Sequence, residues 1–189
     1  MKYFSLICWV LLAGCAANLE DYQGEQPELV LSEFFNGHLE AHGMVQDSSG
    51  KVVRRFRADL LGHWQGELGV LDEQFYFADG EQQSRCWQLQ READKYRGQA
   101  ADVVGTAVGQ VAGNALHWNY QLKVPVDGTE WVLTLDDWMY QLDQAHLMNR
   151  TGMYKFGIKV GEITLFIRKV SHTAHRPLTA GCHLGEVAA

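Results

Sequence analysis

The sequence has no extended block of lysine or arginine: 23 Asp and Glu outnumber 16 Lys and Arg, for a formal charge of −7 at pH 7. Nothing in it could neutralise a run of phosphates, so nucleic acid is not among the expected partners. The same acidity argues against broad adhesion of the folded body to an anionic membrane. Past the N-terminal leader, no stretch is long and apolar enough to cross a bilayer as a helix. Catalytic signatures are missing too. No serine sits in a Gly-x-Ser-x-Gly elbow, and there is neither a His-Glu-x-x-His pair nor an EF-hand loop. His38/His42 and His172/His175, even with Cys182 and His183, have only loose ligand spacing, so no metal and no cofactor are expected.

Cysteine is scarce at four: Cys8 belongs to the leader, and Cys15 stands directly after it. Met1-Lys2 precedes a short apolar run, Tyr3 to Leu12, which closes on Leu12-Ala13-Gly14-Cys15. One positive charge and a brief apolar core make an export signal. Small residues before a cysteine are what a lipoprotein-processing peptidase requires, because the Cys15 thiol must take a diacylglycerol group before cleavage. Residues 1–14 are therefore read as a lipoprotein signal, and residues 15–27 as a lipidated cysteine with a flexible tether. Residues 28–170 read as one β-rich domain and 171–189 as a polar tail. With several buried acyl chains the anchor is durable. Ala16, in place of Asp, favours the outer membrane of an enteric-type host, with the body facing the periplasm. An oxidising compartment permits a bridge between Cys86 and Cys182, though two unrelated thiols fit the sequence as well.

What the body does have is short alternating runs divided by turns. Leu39 to Val45, Lys51 to Ala58, Gly69 to Phe77, Arg85 to Gln90, Asn114 to Leu122, Glu130 to Leu135 and Gly161 to Val170 read as strands. Leu116, Trp118, Tyr120 and Leu122 share one face. Asp47-Ser48-Ser49-Gly50 and Ala78-Asp79-Gly80-Glu81 are turn signals. Asp136 to Tyr140 reads as a break, and Leu142 to Asn149 is ambiguous. Gly98, Gly105, Gly109 and Gly113 mark bulges, tight bends or close backbone approaches. The expected fold is all-β: a closed or nearly closed antiparallel barrel, calycin/lipocalin-like, with a short helical or irregular lead-in before residue 39.

Aromatic residues are the strongest hint of function. Trp64, Phe75, Phe77, Trp87, Trp118, Tyr120, Trp131, Trp138 and Tyr140 either fill a core or line a barrel interior left open for an apolar ligand. The candidate ligand residues are Arg85, Trp87, Asp102, Trp118, Tyr120, Asp137, Trp138 and Arg150. Arg85 or Arg150 would meet a carboxylate head group such as that of a fatty acid. The mouth is expected at Asp79 to Glu81, Asp102 to Gly113 and Asp136 to Tyr140. Adjacent Asp136 and Asp137 would point to opposite faces of a strand, so no catalytic pair is assigned. The alternatives are an envelope interaction protein with a solid core, its protein partner unspecified, and a lipid-modifying enzyme.

The chain also resembles a known family. The motifs are Phe35-Asn36-Gly37, Ala41-His42-Gly43, Phe75 to Glu81, Arg85-Cys86-Trp87, Tyr96 to Ala100, Asp102 to Gly105, Gly113-Asn114-Ala115, Asp136 to Tyr140, Asn149-Arg150 and Lys155 to Glu162. They are similar to those of the proteobacterial lipoprotein family known as domain of unknown function 3833, over roughly residues 30–170. The resemblance implies a lipobox, in agreement with Leu12 to Cys15, and a lipid-handling setting; it carries no catalytic residues. Replacing Cys15 by Ser is expected to abolish incorporation of labelled palmitate and to move the protein from the membrane to the soluble periplasmic fraction. Unchanged labelling would overturn the reading of the leader.

Overall fold

The computed structural model describes residues 17–126, 128–171 and 177–187; the leader, Cys15, His172 and His175 lie outside them. Ten strands follow one another as antiparallel neighbours: β1 (Gly37–Asp47), β2 (Val52–Gln65), β3 (Leu68–Phe77), β4 (Gln82–Glu92), β5 (Lys95–Gln99), β6 (Val103–Ala112), β7 (Ala115–Val126), β8 (Thr129–Gln141), β9 (His146–Lys155) and β10 (Ile158–Lys169). β10 pairs back onto β1, from Leu39↔Lys169 to Asp47↔Gly161, and the sheet closes into a barrel. Every strand has a neighbour on both sides, which is how an up-and-down β fold avoids edge-to-edge association; the short β5 pairs only with Gln88–Glu92 of β4.

Alternation decides the interior. Leu39, Ala41, Ala58, Leu60, Leu71, Leu89, Ala107, Leu116, Leu147 and Ile167 are buried and face inward in register. Several large rings lie flat on a glycine of a neighbouring strand. A Cβ at Gly43 would come within 2.5 Å of the Phe56 ring, one at Gly98 within 3.1 Å of Trp87, and one at Gly109 within 2.7 Å of Trp118. The expectation of close approaches at Gly98 and Gly109 takes this form. Gly105 instead has φ +71 inside the register shift of β6, which is a bulge.

One end of the barrel is plugged by the segment leading into β1. Leu29, Leu31, Phe34 and Phe35 are buried around a single helical turn, α1 (Leu31–Phe34). Backbone polarity is satisfied at the same time: Leu29 N–H donates to the Gly113 carbonyl at 2.9 Å. The Trp64 indole donates to Phe35 O at 3.2 Å, and Lys169 Nζ to Glu33 O at 2.7 Å. Burying these four side chains contributes about 1.5–3 kcal/mol each on transfer alone.

Two expectations are corrected here, and one left open is decided. Residues 18–27 do not form a flexible tether: Asn18 caps a 3₁₀ turn (Leu19–Tyr22), and the Tyr22 ring lies 5.4 Å from Tyr140 and 6.0 Å from Trp138. Asp136 to Tyr140 is no break; it continues β8, because Asp136 bonds outward and Asp137 inward to fixed partners. The described part of the tail, residues 177–187, lies across the outer face of β3 and β4. Cys182 is disulfide-bonded to Cys86, and Thr179 N–H donates to Asp72 Oδ2 at 2.7 Å. That cover explains why outward-facing Val70 and Asp72 are fully buried.

Gly62 is the tightest joint between barrel and plug, since a Cβ there would stand 1.7 Å from Phe35 O. Gly62→Ala must push backbone apart, and is expected to lower the unfolding free energy by roughly 2 kcal/mol in a urea titration. A loss below about 0.5 kcal/mol would mean that the plug is not seated as described.

Candidate functional site

Above the apolar layer, toward the end opposite the plug, the inward positions turn polar. Glu73 (β3), Arg85 (β4), Tyr120 (β7), Asp137 (β8), and Asn149 and Thr151 (β9) share the interior, and Asp102, its side chain 35% exposed, reaches Arg85 from the turn before β6. The Arg85 guanidinium grips Asp102 with Nε to Oδ2 at 2.9 Å and Nη2 to Oδ2 at 2.7 Å, and its Nη1 stands 3.7 Å from Glu73 Oε2. On the other wall, Asp137 accepts from Tyr120 Oη at 3.2 Å, from Thr151 Oγ1 at 2.9 Å and from Asn149 Nδ2. Trp87 stands between these walls as a shared neighbour: its side chain donates a hydrogen bond to the Glu73 carboxyl, and its ring centroid lies 5.5 Å from Tyr120 and 6.2 Å from Trp118.

The electrostatics follow from confinement. Burial pushes the Glu73 carboxyl up to about 7, against the downward pull of Arg85. Burial works against the Arg85 charge, but Glu73 and Asp102 more than offset it and keep the guanidinium protonated. Burial also raises Asp137, with the three donors opposing, and holds the Tyr120 phenol far from ionisation. Glu73 Oε2 is buried with no hydrogen-bond partner, an unusual state for a carboxylate oxygen.

Further toward the open end, Val45, Phe56, Phe75, Phe77, Met153 and Ile163 face inward yet are only half-buried. Phe56, Phe75 and Phe77 form one aromatic group with centroids 5.4–6.4 Å apart. A cleft of about 340 Å³ at this rim is lined by Val52, Val53, Arg54, Arg55, Ala78 and Asp79. Arg54 stacks 3.7 Å over Phe77 and pairs with Asp79 and Glu81. An apolar, solvent-reachable upper interior thus stands over a polar floor.

Of the sequence-named ligand residues, the structure gathers Arg85, Trp87, Trp118, Tyr120 and Asp137 inside, with Asp102 reaching Arg85 from the turn before β6. It separates Trp138 and Arg150, which take the opposite parity and lie on the outer wall. Trp138 stacks on His117 at 4.1 Å, and Arg150 pairs with Glu162 at 2.8 Å. Neither arginine is free for a carboxylate head group, since Arg85 is already held by Asp102. The Asp102 to Gly113 stretch is mostly β6 and Asp136 to Tyr140 is β8, so of the expected mouth loops Asp79 to Glu81 is at the rim, together with Asp102 in the β5–β6 turn at the same end. Among the described residues, no cluster of His, Cys, Asp and Glu could hold a metal ion.

The sequence reading missed Glu73, Asn149 and Thr151. Parity could have flagged Glu73, an acid on the same face as Leu71, Phe75 and Phe77. Asn149 and Thr151 carry no such signal, because two polar residues between Leu147 and Met153 obscure the inward face of β9.

The family model described as Protein of unknown function (DUF3833) matches residues 9–169. No curated protein sequence matches the chain. Among solved structures, that of Rv2717c from M. tuberculosis is similar at 14% identity with a TM-score of 0.53, over 72% of this chain and 93% of that one. At that identity the likeness is one of fold.

An acid that loses its proton near 4.5 when unfolded and near 7 when folded makes the native state less stable as pH climbs between those values, with no further loss above. The shift corresponds to roughly 3 kcal/mol at most. Glu73→Gln is therefore expected to flatten the fall in urea-unfolding free energy between about pH 5 and pH 8. An identical pH profile in the variant would remove Glu73 as the source.

Proposed function

We propose that this chain, which belongs to the DUF3833 family of proteins of unknown function, is a lipid-anchored envelope protein whose barrel receives an apolar small molecule through its open end. The observation that carries the reading is the ring of inward-facing, half-buried apolar residues, Val45, Phe56, Phe75, Phe77, Met153 and Ile163, above a buried polar floor. Apolar side chains left accessible inside a closed sheet lose part of the burial that stabilises a core, and an apolar ligand restores it. A barrel plugged at one end and open at the other is calycin-like in plan. Anchoring at Cys15 in the outer membrane is part of the proposal, and it rests on the leader sequence.

A second reading, capture of an envelope partner by the outer surface, is favoured by one feature. The turn between β9 and β10 presents Phe156, 93% exposed, beside Ile158, 71% exposed. Ligand carriage is the reading favoured here because the interior polar groups are buried at a cost that a solid structural core would avoid.

The Cys15→Ser protein, isolated from the periplasm, is expected to bind the uncharged dye N-phenyl-1-naphthylamine at about one per barrel. Phe75→Glu should weaken that binding by about tenfold, equivalent to roughly 1.4 kcal/mol, without unfolding the protein. A folded protein that neither carries a co-purified lipid by native mass spectrometry nor binds the dye would leave partner capture as the better account.

A further inference from the structure

The polar floor has a definite sign. From β3 it presents Glu73, from β4 Arg85, from the segment before β6 Asp102, from β7 Tyr120 and from β8 Asp137; Asn149 and Thr151 on β9 are uncharged, as is Leu60, the neighbour of Glu73 on β2. Arg85 is the one cation of this group, against three carboxyls. Its Nε and Nη2 are spent on Asp102, and Nη1 is 3.7 Å from Glu73, beyond hydrogen-bond distance. Asp137 is supplied with three donors from its own wall. The Glu73 carboxyl takes a side-chain hydrogen bond from Trp87, but its Oε2 is left with none, although Glu73 is only 9% exposed.

We propose that this floor selects an apolar amine: a molecule with a hydrocarbon body and a protonated nitrogen that donates to Glu73 Oε2 and lies among the Glu73, Asp102 and Asp137 carboxyls. The inference rests on the ligand-binding reading above and narrows it to one head-group chemistry. A carboxylate head would meet three acids and an arginine already engaged by Asp102, and bringing a further anion beside the buried Glu73 and Asp137 carboxyls is disfavoured. A protonated amine supplies the hydrogen bond that Glu73 Oε2 lacks and, once Glu73 has ionised, offsets its charge, while its chain lies against Phe56, Phe75 and Phe77. The same arrangement makes binding depend on pH. Glu73 gives up its proton near 7, whereas an alkylamine stays protonated well above that. Affinity should then follow the ionised fraction of Glu73 and rise about tenfold from pH 6 to pH 8.

The test is displacement of N-phenyl-1-naphthylamine from the Cys15→Ser protein by dodecylamine, dodecanol and dodecanoate, each below its micellar concentration. Dodecylamine is expected to compete at a concentration at least about tenfold lower than dodecanoate, with dodecanol between them. Its advantage over dodecanol should grow from pH 6 to pH 8. In Glu73→Gln that growth should vanish and amine and alcohol should converge; should that variant fail to fold, the pH dependence in the unsubstituted site decides the point. If dye binds and dodecanoate competes as well as dodecylamine, the amine inference is overturned while ligand carriage stands. If the folded protein binds neither dye nor any of the three, ligand carriage fails and the inference falls with it.

Discussion

A guanidinium cannot sit inside a closed sheet without a partner, because the cost of taking such an ion out of water is several kcal/mol even after relaxation. Arg85 meets that constraint by holding Asp102 with two nitrogens and standing beside Glu73. Much of the interior is arranged around this contact. It ties β3, β4 and the approach to β6 together and fixes the level at which Trp87 leans on Tyr120. Below that level, packing is apolar and continuous with the plug formed by Leu29, Leu31, Phe34 and Phe35. Above it, the inward face opens to solvent. The clamp is thus the partition between a fully packed part of the barrel and a part whose inward side chains stay half-buried.

Fitting several large rings inside one barrel needs space next to the strands, and glycine supplies it. Trp87 lies over Gly98, Trp118 over Gly109 and Phe56 over Gly43. Each pair joins a large residue on one strand to a missing side chain on its neighbour, so ring and strand meet without a void between them. The arrangement also sets the cross-section of the interior: rings held flat to the wall leave the axis clearer than rings that project across it.

The strands whose inward residues are uniformly apolar could be read from the sequence. Leu116, Trp118, Tyr120 and Leu122 on β7 alternate cleanly and lie where the pattern places them. Legibility fails where function-like polarity enters the interior. Asp136-Asp137 has the composition of a turn, yet both carboxylates have partners fixed by other strands, Asp136 by His117 and Asp137 by Tyr120, Asn149 and Thr151. Those partners come from β7 and β9, so no local pattern could reveal them. Trp138 and Arg150 were placed in the site by chemistry alone, and strand parity moves both outside. The 3₁₀ turn at Leu19–Tyr22 was hidden for a similar reason, since Tyr22 is ordered by contact with Trp138 and Tyr140.

The seam of the barrel joins the first strand to the last: Leu39 lies opposite Lys169 and Asp47 opposite Gly161. No nearer stretch of chain can complete the ring. Until β10 has been made and brought round, β1 and its hairpin partner present a bare row of N–H and C=O groups, and the cylinder is an open sheet with two live edges. Closing it requires the largest sequence separation of any pairing in the molecule, which places this fold among the slow ones, its rate set by topology more than by stability. The hazard in the life of this protein is therefore a matter of timing: the interval between synthesis of β1 and arrival of β10, when an incomplete sheet is free to pair with its copies.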